Sequence, residues 1–462
     1  MCSDTWQIRL YIRSRTISCE GKAAGWDGSH HMTGLIMFAV ALVMLLAGFP
    51  VAFTFGGVAV FFGLLAEGPQ IFSLMPHRIW SIMNNTILMA IPLFIFMGIV
   101  LQKSNLAERL LESMGFLFGE IRGGIAISTI LVGALLAAST GVVGASVVAM
   151  GVISLPVMLK YNYDRKLASG TICAAGTLGQ IIPPSIVLII LGDVFQEPVG
   201  DLFKAALWPG LSLVLFYIAY IVIVTLMKKD LAPPIRLEST TGSKQQQVFQ
   251  ALKAVIPPLV LIILVLGSIL TGVATPTESS SVGGVGAILL ATLYGRFSIR
   301  MVWESSLETV KISAMVFAIL IGATAFSMVF TYTGGDWIVE EFMLGLPGEK
   351  WGFLILSMLI IMALGFFIDF VEISYIVVPI LAPIAASLGI NPVWYAILVA
   401  MNLQTSFLTP PFGFSLFYLK GVAPPGVRTT DIYYGVLPFI VLQMLVLAIL
   451  VLFPHWFGFS MA

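Results

Sequence analysis

The sequence predicts an all-α polytopic membrane protein built from two inverted repeats, each with a re-entrant helical hairpin and a broken helix. Three observations support this fold class: the composition, a series of long apolar runs, and an internal repeat. Of the 462 residues, 59% are hydrophobic and 10% are charged, whereas about a quarter of the residues of soluble domains are charged. The composition therefore places the chain in a membrane.

Charge and cysteine content exclude several other classes of protein. The chain has 23 Lys and Arg residues against 23 Asp and Glu residues, so it has no basic surface for nucleic acid. Cys2, Cys19 and Cys173 show neither the pairing of a disulfide scaffold nor metal-ligand spacing, and there are only four histidines, His30, His31, His77 and His455. Neither a disulfide framework nor a zinc site is expected.

Long apolar segments recur along the chain. A helix that spans a bilayer needs about 20 apolar residues, and these segments are too numerous for a single-anchor protein. The sequence therefore predicts a bundle of many transmembrane helices. The segments cover residues 33–66, 87–102, 123–158, 167–195, 205–227, 254–294, 312–332, 351–388, 393–419 and 432–454.

The internal repeat has an offset of 227 residues. Pro183-Pro184 recurs as Pro410-Pro411, and Pro156 recurs as Pro383. Two weakly similar halves with breaks in corresponding places are typical of secondary transporters. We predict a first repeat over 32–227, a cytoplasmic linker over 228–253 and a second repeat over 254–462, with 1–31 a polar extension that does not belong to the fold.

Polar interruptions place a hairpin and a broken helix in each half. Hairpins are expected at about 123–158, with its tip at 139–144, and at about 352–388, with its tip near Asp369. The halves of these segments are too short to cross a bilayer comfortably, so each is expected to enter the membrane and turn back. The helices that follow are interrupted at 176–179 and 402–406, before each Pro-Pro pair. Unwound backbone there would expose carbonyl oxygens to a cation.

Basic residues give the orientation. The loops on one side hold 16 Lys and Arg residues, and the opposite loops hold only Arg78, Lys204 and Lys350. The first set is cytoplasmic by the positive-inside rule. The first hairpin then enters from the cytoplasm and the second from outside, which predicts inverted halves.

Few charged groups lie within the predicted spans. They contain no Lys or Arg, and the candidate carboxylates are Glu278, Asp369 and Glu372, with Asp193 near an outer end. Hydroxyl, amide and carbonyl oxygens around a carboxylate suit a small alkali cation, so sodium is expected. Two alternatives stay open: the small polar residues serve close helix packing, and Glu278 caps the helix that follows Pro276.

Enzyme chemistry is not expected. Gly144-Ala145-Ser146 resembles the nucleophile motif of an intramembrane serine protease, but no histidine base lies within the spans. The sequence also contains neither HExxH nor GxxxxGK[ST], so it lacks the motifs of a metalloprotease or an ATP-driven pump. A passive channel is disfavoured, because buried backbone breaks are costly unless something binds or moves there.

One motif identifies a family. Residues 85–98, NTILMAIPLFIFMG, closely resemble the NxLLAIPLFIFMG signature of the large membrane subunit of tripartite ATP-independent periplasmic (TRAP) transporters. The likeness extends over about 33–454, and two departures are the segments 141–144, where many members have serines, and 279–281, where alanines are more usual. Further matching segments are Ala175-Gly176-Thr177-Leu178-Gly179, Ile182-Pro183-Pro184-Ser185, Thr275-Pro276-Thr277-Glu278 and Phe367-Ile368-Asp369.

The resemblance implies a sodium-driven importer of small organic acids in the bacterial inner membrane, working as an elevator-type secondary transporter. It implies two partners, a small four-helix membrane subunit on a separate chain and a periplasmic substrate-binding protein. A stand-alone sodium-coupled carboxylate carrier is the alternative. The acid itself is open among dicarboxylates, sialic acids, keto acids and sugar acids.

The resemblance also implies site residues. The first sodium site would comprise Ser139, Thr140, Gly176, Thr177 and Gly179. The second sodium site would comprise Asp369, Gln404, Thr405, Ser406 and Thr409. The substrate would contact the two breaks, at Pro183, Pro184, Ser185, Pro410 and Pro411.

Overall fold

The computed structural model describes residues 29–234 and 244–459, and the fold over these two ranges is helical without strands. Residues 1–28, which contain most of the predicted extension, and residues 235–243 of the predicted linker lie outside the described part. The helices of the first half are α1 Ser29–Leu46, α2 Val51–Ala66, α3 Met75–Met83, α4 Ala90–Lys103, α5 Leu106–Phe118, α6 Gly124–Thr140, α7 Val143–Lys160, α8 Arg165–Thr177, α9 Ile186–Phe195 and α10 Val199–Met227.

The second half continues the same alternation of long and short helices. A π turn, Ile373–Val377, interrupts α16, and short 3₁₀ turns follow α2, α8 and α19. The helices are α11 Lys244–Leu270, α12 Pro276–Leu293, α13 Ile299–Tyr332, α14 Gly335–Leu344, α15 Lys350–Leu364, α16 Phe370–Ser387, α17 Pro392–Leu408, α18 Phe414–Val422 and α19 Thr429–Leu452.

Several helices are long and apolar enough to cross a bilayer. In the described ranges six single helices meet this condition, and a bent pair formed by α4 and α5 makes a seventh possible span. The prediction of a polytopic all-α membrane protein is confirmed at this level. The six are α7, α10, the segment Ala251–Leu270 of α11, α13, α16 and α19.

The order of the helices repeats along the chain. Helices α6, α7, α8 and α9 begin at residues 124, 143, 165 and 186, and α15 to α18 begin at residues 350, 370, 392 and 414. Corresponding helices therefore start 226 to 228 residues apart, close to the offset of the sequence repeat. In each half, two helices joined by a short turn precede a buried helix that ends before a Pro-Pro pair, and both Pro-Pro bonds are cis.

The two buried helices, α8 and α17, lie at the centre of the molecule. Every residue from Leu167 to Thr177 and from Trp394 to Leu408 is buried. Helix α8 packs against α6, α7 and α19, and α17 packs against α9, α10, α15 and α19. An outer set of helices comprises α2, α4, α12 and α13, in which α13 packs against α2 and α4 and α12 packs against α4.

Glycines join the two halves at close range. A Cβ atom on Gly170 of α8 would overlap the carbonyl oxygen of Gly435 in α19, and a Cβ atom on Gly435 would overlap the carbonyl oxygen of Lys166. Small residues allow membrane helices to approach in this way. In lipid, where no hydrophobic effect drives helices together, this close packing stabilises their association. The central helices of the two halves therefore form one packed unit.

Local capping fixes where several helices begin. The carboxylate of Asp164 accepts hydrogen bonds from the backbone N–H groups of residues 166 and 167, at 3.0 Å each, at the start of α8. Glu278 and Thr275 form a capping box at the start of α12, and the side chain of Glu278 is exposed. Glu278 was a candidate carboxylate within the membrane or a helix cap, and the structure shows the helix cap.

Three boundaries differ from those predicted. Residues 402–406, predicted as an interruption, are helical, because α17 continues to Leu408 and the second break begins at Thr409. Side-chain hydroxyls in this stretch donate to carbonyls of their own helix, so polar residues here do not unwind the backbone. Helix α11 begins at Lys244, within the segment predicted as a linker, and α1 begins at Ser29, within the segment predicted as an extension outside the fold.

Candidate functional site

The first hairpin tip lies against the end of α8. A Cβ atom on Gly176 would overlap the side chain of Val147 and lie 3.1 Å from the Val147 backbone nitrogen. At the tip itself, Gly141 has a φ of +60°, and a Cβ atom there would lie 3.1 Å from the Ile186 side chain, at the first residue of α9. Only glycine suits both the positive φ and this close contact. The tip of the first hairpin is thus held between the two pieces of the first broken helix.

The structure brings most of the predicted first sodium site to this place. Thr177 and Gly179 are buried at the end of α8 and in the 3₁₀ turn that follows it. The Thr177 hydroxyl donates to the carbonyl oxygen of Ala174 at 2.9 Å, which leaves its own oxygen lone pairs able to accept or to bind a cation. Ser139 and Thr140 are the last residues of α6, and their side chains lie outside the described part.

The second hairpin tip makes the equivalent contact with α17. A Cβ atom on Gly365 would overlap the Ser406 hydroxyl oxygen and lie 2.7 Å from the Ser406 Cβ atom. Four residues after Gly365, the Asp369 carboxylate accepts a hydrogen bond from the backbone nitrogen of Phe370 at 2.7 Å and caps α16. Asp369 is therefore fixed at the start of α16, four residues after the glycine that contacts Ser406 of α17.

Three hydroxyl groups line the end of α17. Thr405 donates to the carbonyl of Met401 at 2.8 Å, Ser406 donates to that of Leu403 at 2.8 Å, and Thr409 donates to that of Thr405 at 2.7 Å. A hydroxyl group that donates its hydrogen bond to a carbonyl oxygen presents only lone pairs to other partners. Together with the Asp369 carboxylate, these oxygens have the chemistry that a hard cation requires.

Two glutamine side chains lack partners near the breaks. Gln404 in α17 and Gln180 in the 3₁₀ turn after α8 are fully buried, and within the described ranges neither amide oxygen nor amide nitrogen has a hydrogen-bond partner. An unpaired buried polar group costs about 1–3 kcal/mol. Such a cost is offset when a ligand pairs with the amides.

Gln180 is a candidate that the sequence prediction missed. It stands between Leu178 and Ile182 in an apolar stretch directly before Pro183. A polar amide in that position was the available signal, but the site residues implied by the family motifs do not include Gln180. Gln404, by contrast, belongs to the predicted second site.

The two Pro-Pro breaks are each bridged by a serine. The Ser185 hydroxyl donates to the carbonyl oxygen of Gln180 at 2.6 Å, and the Ser415 hydroxyl donates to that of Phe407 at 2.8 Å. Both serines are fully buried. Ser185, a predicted substrate residue, therefore has a structural contact across the break formed by Pro183 and Pro184.

A second carboxylate stands beside the second tip. Glu372 is 3% exposed, and its Oε2 atom has no hydrogen-bond partner among the described residues. It lines a small cavity together with Phe38, Phe55 and Ile368. Charge buried against such apolar side chains is costly without a counter-ion, so the region around Asp369 and Glu372 favours a positive charge.

Comparison with known proteins places this arrangement in a family. The family model described as "Tripartite ATP-independent periplasmic transporter, DctM component" matches residues 38–456. The chain belongs to this family.

Individual relatives agree with the assignment. The C4-dicarboxylate TRAP transporter large permease protein DctM of Pseudomonas aeruginosa is 30% identical, over 86% of this chain and 93% of that protein. DctM of Rhodobacter capsulatus is 29% identical, over 91% of this chain and 96% of that protein. The sialic acid TRAP transporter large permease protein SiaM of Vibrio cholerae is also 29% identical, over 90% and 95%.

A solved structure supports the fold alone. The YdaH transporter of Alcanivorax borkumensis, whose crystal structure is described as having an unusual topology, matches with a TM-score of 0.58 and 14% identity, over 93% of this chain and 99% of that chain.

The chain is thus a TRAP large permease subunit and a multi-pass membrane protein. The resemblance inferred from the sequence motifs is confirmed, and so is the prediction of a transporter rather than an enzyme, because the relatives are named as permeases. Large permeases of this family work with a small membrane subunit and a periplasmic binding protein. In this TRAP permease, each hairpin tip lies against the broken helix of its own half, beside the polar groups described above.

Proposed function

We propose that this permease imports small organic acids, namely carboxylates, across the bacterial inner membrane in symport with sodium. The acid is delivered by a periplasmic binding protein, and a small four-helix membrane subunit completes the assembly. The single observation that carries the proposal is the contact of each hairpin tip with the end of a broken helix, at Gly176 and at Gly365.

Sodium fits the chemistry of both contacts. The second tip offers the Asp369 carboxylate, the hydroxyl oxygens of Thr405, Ser406 and Thr409, and the unpaired amide of Gln404. The first tip offers neutral oxygens, from Thr177 and from the backbone around Gly179. Oxygen donors with one carboxylate bind an alkali cation in preference to a softer transition metal. No Lys or Arg lies within the predicted spans to compete with it.

The names of the relatives support a small organic acid as the substrate. Relatives are named for C4-dicarboxylates, sialic acid and ectoine, which each carry a carboxylate, and one is named for isethionate, a sulfonate. We place the acid between the two breaks, near Pro183, Pro184, Ser185, Pro410 and Pro411. The unpaired amide nitrogens of Gln180 and Gln404 supply hydrogen-bond donors for a carboxylate there.

Alternating access is proposed to follow the elevator scheme. In this scheme the two halves are inverted repeats, and the central unit around α8 and α17 slides against the outer set α2, α4, α12 and α13. Inversion is supported by the distribution of basic residues between the two sets of loops. The repeat in helix order supports two structurally equivalent halves.

The test uses the complete assembly in proteoliposomes. A thermal-shift screen of the cognate binding protein first identifies the acid, and uptake of that acid is then measured with an inward sodium gradient. We expect uptake to require sodium, and a proton gradient alone to fail. Equal uptake with choline in place of sodium contradicts the sodium coupling, and equal uptake without the binding protein supports the stand-alone carrier instead.

One substitution tests the second sodium site. Asp369→Ala should weaken the sodium dependence of uptake while the protein still inserts, because the only carboxylate of that site is lost. Asp201→Ala is the matched control, since Asp201 is an exposed aspartate that pairs with Lys204 at 3.7 Å. If Asp369→Ala transports with unchanged sodium affinity, Asp369 serves only as the cap of α16.

A further inference from the structure

A second polar cavity lies apart from the hairpin tips. It has a volume of about 290 Å³ and lies between α3, the end of α9, α13 and α16. None of the residues assigned above to sodium or substrate lines it. Its polar lining includes Arg78, Ser81, Asn85, Asp193, Ser327 and Tyr375.

One side of the cavity carries an unpaired positive charge. Across residues 29–234 and 244–459, no acidic side chain forms an ion pair with Arg78. The acidic group of the cavity, Asp193, is paired with another lining residue: its Oδ1 atom accepts a hydrogen bond of 2.6 Å from the amide nitrogen of Asn85. The Asn85 amide oxygen in turn accepts from the backbone nitrogen of Ile87 at 2.9 Å. Arg78 is thus available to an anionic ligand, while Asn85 and Asp193 form a fixed wall.

The cavity lining also includes an unpaired hydroxyl group, that of Tyr375. Tyr375 is 6% exposed, and its hydroxyl oxygen has no hydrogen-bond partner among the described residues. A buried hydroxyl left in this state costs about 1–3 kcal/mol. Tyr375 also lies in the π turn of α16, and π turns within helices occur frequently at functional sites. Both facts indicate a place where a ligand donates to or accepts from the hydroxyl.

The position of the cavity gives it a place on the transport path. By the proposed topology, Arg78 and the end of α9 lie on the periplasmic side, since Arg78 is one of the few basic residues of that side. The cavity is lined by residues of α3, α9, α13 and α16. Helix α16 is part of the second hairpin, so a ligand in this cavity touches the element that carries Asp369.

We infer that this cavity is an outer binding station for a small carboxylate, held by Arg78 and by the Tyr375 hydroxyl. An acid released by the binding protein occupies it before it reaches the hairpin tips. The inference rests on the proposed function for the class of ligand. Arg binds carboxylates through strong charge-assisted hydrogen bonds, and the volume of about 290 Å³ holds a small acid with several waters.

The test uses iodoacetate, a small carboxylate, and iodoacetamide, its neutral counterpart. A cysteine replaces Ser327, which lines the same cavity as Arg78, after Cys2, Cys19 and Cys173 have been changed to alanine. The assembly with the small subunit is labelled in proteoliposomes without sodium, and mass spectrometry gives the rate at which the thiolate displaces iodide. We expect the iodoacetate rate to saturate with concentration, because binding precedes alkylation, and the iodoacetamide rate to rise linearly.

Variants identify the groups that bind. Arg78→Gln should remove the saturation and lower the iodoacetate rate at low concentration about tenfold, with the iodoacetamide rate unchanged as proof that the cavity is intact. Tyr375→Phe should raise the half-saturating concentration severalfold. Lys204→Gln is the matched control, since Lys204 is an outer basic residue that does not line the cavity.

The outcomes are separable from those of the proposed function. A linear iodoacetate rate, or saturation that survives Arg78→Gln, overturns the station and leaves the sodium coupling untouched. Saturation that depends on Arg78 supports the station even if uptake proves independent of sodium, because the labelling requires no transport.

Discussion

A single methyl group at Gly365 should separate the second hairpin tip from the broken helix α17. The structure shows that a Cβ atom at this position would overlap the Ser406 hydroxyl oxygen and lie 2.7 Å from the Ser406 Cβ atom. It would also lie 3.2 Å from the carbonyl oxygen of Ile361. Because these atoms belong to buried helices rather than to flexible surface chains, Gly365→Ala requires the tip to move.

The expected size of the effect follows from the cost of overpacking. Forcing an extra methyl group into a packed interior typically costs about 1–3 kcal/mol. In the proposed site, the tip that moves carries Asp369 and the helix it leaves carries Thr405 and Ser406. If the whole cost falls on the sodium-bound state, sodium affinity drops ~5- to 150-fold. We expect about tenfold, which corresponds to about 1.4 kcal/mol.

The assay needs no knowledge of the substrate. The purified membrane assembly is unfolded thermally at a series of sodium concentrations, with choline keeping the ionic strength constant. A cation that binds the folded state raises the midpoint temperature, and the concentration dependence gives an apparent dissociation constant. Gly267→Ala is the matched control, because Gly267 lies in helix α11 and a Cβ atom there meets no heavy atom within 4 Å.

One result would refute the reasoning. If Gly365→Ala lowers the midpoint without sodium but leaves the apparent sodium constant unchanged, the contact with Ser406 is only structural. The second cation site must then lie elsewhere, since the tip and α17 cannot separate without disturbing ligands drawn from both. A loss of sodium response in Gly267→Ala as well would show that the assay reports general destabilisation.

Three further predictions test other parts of the site. Gln404→Leu removes two unpaired amide atoms, so it should raise the sodium-free stability by about 1–3 kcal/mol and weaken the stabilisation by sodium; lower stability in both conditions would mean that the amide has a partner. Gly170→Val should lower the thermal midpoint of the assembly or prevent its isolation, because the side chain would overlap the carbonyl of Gly435, whereas Gly57→Val should not, since Gly57 has open space around it. A cysteine at Ser139 should react with a cytoplasmic thiol reagent and one at Ile368 with a periplasmic reagent, and sodium should shift the two rates in opposite directions; equal labelling of both from one side contradicts the inverted topology.

The helix pairs of the predicted hairpins and the central helices were predictable because their signals are strong. Polar tips and two Pro-Pro pairs at a constant offset mark them in the sequence, but α7 and α16, at 18 residues each, are longer than predicted and could cross a bilayer. The structure places α6 with α7 and α15 with α16 at the predicted ranges. The inversion of the halves and the role of the tips in binding stay predictions.

Other features are not visible in the hydropathy of the sequence. The apolar run 33–66 proves to be two helices, because the chain turns at Gly48, which has a φ of +88°, and α2 begins after Pro50. Helix α13 begins at Ile299, well before its apolar run at 312. Its polar first turns are held by Lys103, whose ammonium group lies 2.8 Å from Glu308.

The unpaired amide of Gln180 shows the limit of sequence reasoning at the site. A polar residue among apolar neighbours is visible in the sequence, but whether its amide has a partner depends on packing between the 3₁₀ turn, α6 and α17. The same holds for Asn402, whose amide nitrogen donates to the carbonyl of Met358 at 2.6 Å and is therefore used within the fold. Two buried amides of similar appearance in the sequence thus differ in their availability to a ligand.

The two proposed sodium sites differ in charge, and this difference links sodium to the acid. The second site includes the Asp369 carboxylate, with Glu372 nearby, whereas the described residues of the first site are neutral. A cation in the second site is compensated by the protein itself, but a cation in the first would leave an uncompensated charge in a medium where such charge is costly. An organic anion between the breaks provides that compensation. Because coupling between two ligands is reciprocal, sodium at the first site and the acid should strengthen each other's binding. Sodium at the second site should bind without the acid, which is why the substrate-free titration of Gly365→Ala reports on that site.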